Sequence, residues 1–210
     1  MLTCCSVIYH GAAGMKIYGD RISGNCLKVK WVCDQLALPY TWVDVDVVKG
    51  ETRTADFLAL NPWGQVPTVV FDDGRRLAQS NAIIRYLARD SRFIPADAFA
   101  AAQMDSWLFW EQYSHEPYIA VARFQVAYLG KSVGALDPNL FIRGYRALDH
   151  MERQLEATRF LVGEALTLAD VALLAYTRMA HQGGFDLARY DAIRRWIGDA
   201  EAVLGLAPLS

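Results

Sequence analysis

Ala59-Leu60-Asn61-Pro62-Trp63-Gly64-Gln65-Val66-Pro67-Thr68-Val69-Val70-Phe71 decides how the rest of the chain is read. Asn-Pro and Gly mark a tight turn, and Pro67 stands immediately before an apolar, β-branched run, Thr68 to Phe71, that reads as a strand. Proline has no N–H to give to a ladder, so it opens the strand or lies on an edge, and it confines Val66 to extended backbone. An ordinary trans bond satisfies that spacing. A cis Val66-Pro67 bond would instead turn the Val66 N–H and C=O outward, toward an extended peptide-like ligand. The residues alone leave both open.

Downstream, Asp72-Asp73-Gly74 is a hairpin turn, Arg75 to Ala78 a short strand, and Ser80 stands where a helix N-cap belongs, ahead of Ile83, Ile84 and Leu87 at helical spacing. Upstream, Met15 to Gly19 alternates like a strand. A polar loop, Asp20 to Asn25, leads into a helix from Cys26 to Leu36 on the period Leu27, Trp31, Val32, Leu36. Tyr40 to Val48 reads as a second strand, parallel to the first because a helix connects them. Lys49 to Phe57 is polar with a short helical end. The order is therefore β-α-β, an irregular helix, then β-β-α, a thioredoxin-like arrangement over residues 15–90.

Residues 91–97 have a proline and no period and read as a linker. Residues 98–210 are helical: a long aromatic-rich stretch from Ala98 to Gly130, then Asn139 to Thr158 with Leu140, Tyr145, Leu148, Met151 and Leu155 on one face. Thr167 and Asp170 form a capping box, with Leu166 and Val171 as its hydrophobic staple, in a setting apolar enough to be buried. Residues 1–14 show no period and no basic or apolar region of signal-peptide type, and are expected to be a loose tail or an overlong start.

Composition narrows the function classes. The 210 residues carry a formal net charge of -2, with 21% charged and 53% hydrophobic residues, so no basic stripe points to nucleic acid or an anionic membrane. No apolar run reaches the roughly 20 residues of a membrane helix. Cys4, Cys5, Cys26 and Cys33 form no C-x-x-C, and Cys26 and Cys33 lie too far apart on one helix for a disulfide, which fits a reducing, cytoplasmic compartment. The four histidines lack metal-ligand spacing, so no metal is expected.

Asn-Pro-x-Gly-Gln-Val-Pro followed by Gln-Ser-x-Ala-Ile-x-x-Tyr-Leu is similar to the glutathione-binding half of the glutathione transferase family. The capped helix at Thr167 is a second, independent point of resemblance, and Arg189 to Trp196 resembles that family's penultimate helix. Resemblance covers residues 15 to about 205. It implies a thioredoxin-like α/β domain followed by an all-α bundle, a cis Pro67, and a homodimer with Trp63 as an interface aromatic. The implied activity conjugates glutathione to small hydrophobic electrophiles, a detoxification chemistry. A glutathione-dependent isomerase, a disulfide reductase, and a non-catalytic glutathione-binding or scaffold protein are the alternatives.

Glutathione must be held at its ends while its thiol is activated. A free thiol of pKa near 8.5 is about 3% ionised at pH 7. A hydroxyl donor and a helix N-terminus together would depress that pKa by roughly two units and raise the thiolate on the order of twentyfold. By resemblance to serine-type members of theta, phi and zeta kind, Ser23 is the hydroxyl, with Asn25 as its rival. Cys26 stands in a register that is late for a cysteine-type enzyme. Tyr18, inside the strand, is a packing residue. Gln79 and Ser80 match the positions that hold the γ-glutamyl end, and a carboxylate is favoured at such a helix start. Val66 beside Pro67 would offer its main chain to the cysteinyl unit, Gln65 a side-chain amide, and Arg53, with Lys49 as fallback, a cation for the glycyl carboxylate. Trp107, Trp110 and Tyr113 on the facing helix are the expected wall of an electrophile pocket between the domains.

Overall fold

Five residues, Met15–Gly19 (β1), form the central strand of the computed structural model, which describes residues 14–209. The expectation for residues 1–14 therefore falls almost wholly outside the described residues, as do Cys4, Cys5 and His10. Met15 and Ile17 point into the core, as a half-buried strand requires. β1 pairs in parallel with Thr41–Asp44 (β2), with Ile17 opposite Trp42, after the crossover helix Gly24–Gln35 (α1). On its other side it pairs antiparallel with Thr68–Phe71 (β3), which turns through Gly74 into Arg76–Ala78 (β4). The sheet order is β2-β1-β3-β4. Between β2 and β3 lie a 3-10 turn, Glu51–Arg53, and the short helix Ala55–Leu60 (α2).

Several boundaries differ from the sequence reading, α1 starting at Gly24 and β4 at Arg76, and two of the differences have a local reading. β2 ends at Asp44, because the Asp46 carboxylate takes the Val48 and Lys49 N–H groups at 3.0 and 2.9 Å and diverts the backbone from the ladder. The N-cap position of helix Ser80–Leu87 (α3) is Gln79, not Ser80; its side chain makes no cap hydrogen bond, and it adopts φ 69°, a conformation rare outside glycine.

Beyond residue 97 the elements are helices: Ala98–Trp110 (α4), Glu116–Arg123 (α5), Pro138–Ala157 (α6), Leu168–Thr177 (α7) and Asp191–Leu204 (α8). α4 and α5 form one long rod interrupted by a π-helical turn, Glu111–His115, and a second π turn, Phe124–Tyr128, follows α5. Pro117 explains the first interruption, since it lacks the N–H that a regular turn would use and its ring crowds the carbonyl four residues back. α7 is buried along its whole length. Its capping box is formed, and Asp170 also accepts from Leu161 N–H at 2.9 Å and Trp196 Nε1–H at 2.9 Å. α1 packs on α3 on one side and on α7 on the other, which brings the start of α1 against the helical bundle.

Candidate active site

A cleft of about 550 Å³ opens between the loops of the sheet and α5. Ser23, Asn25, Arg53, Gln65, Val66, Pro67, Gln79 and Ser80 all line it, so these eight candidates are brought to one place. The Val66-Pro67 bond is cis. Among the described residues the Val66 N–H and C=O have no hydrogen-bond partner, which leaves both to a ligand. The Gln79 side-chain amide reaches Gln65 Oε1 at 3.3 Å. Arg53 lies against Gly64, where an added Cβ would meet its Nη1 at 2.5 Å, and that Nη1 donates to the Trp63 carbonyl at 3.5 Å. Lys49 is instead paired with Asp46 at 3.0 Å and does not line the cleft.

Ser23 occupies the N-cap of α1 with extended backbone, yet its side chain caps nothing. Its hydroxyl lies beside the Tyr176 hydroxyl and the Cys26 thiol. Tyr176, on α7, also lines the cleft, and its oxygen accepts from Asn25 N–H at 3.2 Å. Gly24 permits this approach, because a Cβ there would lie 2.7 Å from the Tyr176 ring. The start of α1 is thus not the open amide end that the sequence suggests. One N–H is covered by a tyrosine, and at this end of the cleft the hydroxyls of Ser23 and Tyr176 stand side by side. Burial pushes the Tyr176 phenol well above its ordinary range, so it stays protonated.

Asn25 is committed to its neighbours. Its Oδ1 accepts from Lys28 Nζ at 2.8 Å and from Ser80 Oγ at 3.0 Å, and its Nδ2 donates to Glu116 at 3.3 Å. Lys28 is fully buried and forms an ion pair with equally buried Glu111 at 2.9 Å. Burial alone would raise the Glu111 carboxyl, but the Lys28 charge and the Gln112 amide more than offset it and hold the group below the usual range. Glu116 has less compensation: burial and the Glu111 charge raise it. Cys26 is fully buried, and burial pushes its thiol up to about 12, which removes it as a thiolate nucleophile. Tyr18 packs edge-on against Phe57, as expected.

Trp107, Trp110 and Tyr113 are not brought to this cleft. Trp107 and Trp110 stack on His150 with ring centroids 5.3 and 5.1 Å away, and Trp110 and Tyr113 border a separate cavity of about 390 Å³ with Arg143, Arg146 and Arg153. The face presented to the cleft is Gln112, Glu116, Ala120 and Arg123, followed by Phe124 and Tyr128, and Gln112, two residues past Trp110, lies near the opposite side of the rod from the tryptophans. Tyr176, Glu116, Arg123 and the Lys28–Glu111 pair are the site groups missed from sequence. Lys28 left a trace there, since it shares the apolar face of α1 with Trp31 and Val32 at i, i+3 and i+4.

Comparison with known proteins gives the same picture. The model of the glutathione S-transferase N-terminal domain matches residues 22–90, and that of the C-terminal domain matches residues 121–199. Glutathione S-transferase 3 of Zea mays is 34% identical over 167 residues, 75% of this chain and 74% of that protein. The crystal structure of a glutathione S-transferase from Pseudomonas fluorescens Pf-5 is 48% identical, with a TM-score of 0.86 over 90% of this chain and 94% of that one. A glutathione transferase homologue from Sulfitobacter, solved with bound glutathione, is 25% identical, with a TM-score of 0.76 over 90% of this chain and 92% of that one. A mixed sheet capped by α1 and α3, a buried capped helix behind it and both matching domain models lead to one assignment: the chain is a transferase of the glutathione S-transferase family.

Proposed function

We propose that the protein binds glutathione in the cleft beside Val66 and transfers its thiolate to small hydrophobic electrophiles. The observation that supports this most is the Ser23 hydroxyl at the start of α1, which caps no helix amide and lies in the same cleft as Val66, Gln79, Ser80 and Arg53. Glutathione's γ-glutamyl carboxylate meets the start of α3 and the Gln79 amide, its cysteinyl main chain pairs with Val66, and its glycyl carboxylate faces Arg53. The sulfur then lies by Ser23, whose hydroxyl donates to the thiolate. The thiolate attacks the electrophilic carbon, the C–S bond forms as the leaving group departs, and the thiol proton has already gone to solvent. Positioning and stabilisation of the thiolate are the whole task, and no covalent enzyme intermediate is needed.

The test is spectroscopic titration of the glutathione thiol in the complex, in wild type and Ser23→Ala. Wild type should show the thiol pKa depressed by roughly two units. Ser23→Ala should lose most of that shift and on the order of tenfold in kcat, while glutathione affinity holds. A bound thiol that titrates as in free glutathione would leave only a binding or scaffold role.

A homodimer is proposed on the same family grounds. Phe99, Phe109 and Tyr113 are 73, 77 and 83% exposed along the α4 rod, and Trp63 is 59% exposed beside the cleft, which together suit burial against a second copy. A monomeric mass at micromolar concentration would remove this. The cytoplasmic setting and a role in clearing reactive electrophiles are proposed with it, the first on the buried free thiols of Cys26 and Cys33.

A further inference from the structure

On the bundle side of the cleft, past the Tyr176 hydroxyl, the wall carries a cation that no carboxylate neutralises. Arg123, the last residue of α5, lines the cleft and is only 4% exposed. Its Nε–H donates to Gln182 Oε1 at 2.8 Å, and its guanidinium carbon lies 5.8 Å from the centroid of the Tyr128 ring. Both partners are uncharged. Gly183 makes the arrangement possible, since a Cβ there would meet the Arg123 backbone nitrogen at 2.8 Å.

The nearby carboxylates make no direct contact with it. Glu116 Oε1 takes Asn25 Nδ2, Asp20 Oδ1 takes the Ile22 N–H, and Asp20 meets Arg123 only through the Tyr128 hydroxyl, which both side chains touch. Among the described residues no carboxylate is within ion-pair distance of Arg123. Two other enclosed cations behave differently: Lys28 is paired with Glu111 at 2.9 Å and Arg178 with Glu201 at 2.8 Å. A desolvated guanidinium without a counter-charge is costly, and an anionic ligand in the cleft would supply the missing half.

We propose that Arg123 receives an acidic group of the electrophile. The second substrate is then an apolar, aromatic-bodied electrophile bearing a carboxylate or sulfonate, its ring against the Phe124–Tyr128 pair, whose ring centroids lie 4.9 Å apart, and its anion on the Arg123 guanidinium. This rests on the conjugation activity proposed above. Glutathione's own carboxylates are assigned to Arg53 and to the start of α3, on the opposite wall.

The test uses full-length protein and two electrophiles with the same leaving group, 4-chloro-3,5-dinitrobenzoate and its neutral carboxamide. In both the glutathione thiolate attacks the chlorinated carbon and chloride leaves. Each kcat/KM is divided by the uncatalysed rate with free glutathione, which removes the difference in ring activation. Wild type should favour the carboxylate by at least roughly tenfold, the scale of a hydrogen bond to a charged partner. Arg123→Lys should keep part of the preference, and in Arg123→Met the ratio should fall to about one, the value expected once the charge is gone. Equal normalised rates in wild type, or a preference that survives Arg123→Met, overturn the assignment. So does a loss of glutathione affinity in Arg123→Met, measured by calorimetry, since the cation would then serve glutathione. If Arg123→Met does not fold, the wild-type ratio and Arg123→Lys decide. Wild type that fails to bind glutathione, or binds it but turns over neither electrophile, defeats the conjugation activity itself. Turnover of the carboxamide without a carboxylate preference defeats only the role of Arg123.

Discussion

Tyr176 places a second hydroxyl where the sulfur is expected, and its single proton decides what it does. The oxygen already accepts the Asn25 N–H at 3.2 Å, so the phenolic proton is left to point into the cleft or to the adjacent Ser23 hydroxyl. In the second case it leaves the Ser23 proton for a bound thiolate, and in the first it reaches the thiolate itself. Tyr176→Phe should therefore raise the bound thiol's pKa by about one unit, with glutathione affinity unchanged. A pKa that falls instead, because Asn25 N–H has been released toward the sulfur, would show that the hydroxyl only covers an amide. Sequence singled out Ser23, which lines this spot, but carried no hint of Tyr176, which stands 151 residues from Asn25 in the chain. A lone tyrosine in an apolar helix reads as core, and only tertiary packing across Gly24 turns it toward the cleft.

At the scale of elements, the buried start of α7 carries the clearest energetic test. Thr167 and Asp170 cap each other, but Asp170 alone takes Leu161 N–H, Thr167 N–H and Trp196 Nε1–H, all buried. Thr167→Ala should cost about 1 kcal/mol, the usual worth of a cap. Asp170→Ala should cost roughly 4 kcal/mol, since it strands three buried donors. Urea denaturation of the two variants measures the difference, and equal losses would mean that Asp170 acts only as a cap. This helix was legible because its signal is local: residues three apart in the chain satisfy each other. The strands β1 and β3, and the turn that starts at Asp72, were legible for the same reason, through alternation and turn chemistry. The face of the α4–α5 rod was not. Trp107, Trp110 and Tyr113 share a helical face, but the two tryptophans pack on His150, and the cleft takes the other side of the rod, with Gln112, Glu116 and Ala120.

At the scale of the molecule, Lys28 on α1 and Glu111 at the end of α4 join the two halves through an ion pair with no exposure. Removing one partner leaves the other charge buried and bare, so Lys28→Met should cost roughly 3–5 kcal/mol, and Lys28→Met with Glu111→Leu should recover much of that loss. Additive losses in the double variant would deny the coupling.

The acid limb of stability has its own origin. Thr177 Oγ1 donates to the Leu173 carbonyl at 2.7 Å, so it accepts from His115 Nε2–H at 2.9 Å, and the His115 Nδ1 lone pair is buried without a partner. Burial is the main reason that this imidazole is held down to about 4, against an ordinary 6.5. The folded protein thus binds this proton less readily than the unfolded chain. The contribution is complete above pH 6.5 and is lost as the pH falls toward 4, by roughly 3 kcal/mol over that window. Stability against pH for wild type, minus that of His115→Gln, should show this slope, and parallel curves would assign the acid limb to other groups.

The Lys28–Glu111 pair also sets a rule for anyone recombining this scaffold with a relative. Asn25 and Ser80, which lie under the proposed glutathione cradle, are tied to a lysine whose counter-ion belongs to the other half, so the cradle is not a portable cassette. A chimera that exchanges the helical part must bring a carboxylate to the same spot, or the grafted seam will hold an orphaned ammonium directly beneath the residues meant to grip the tripeptide.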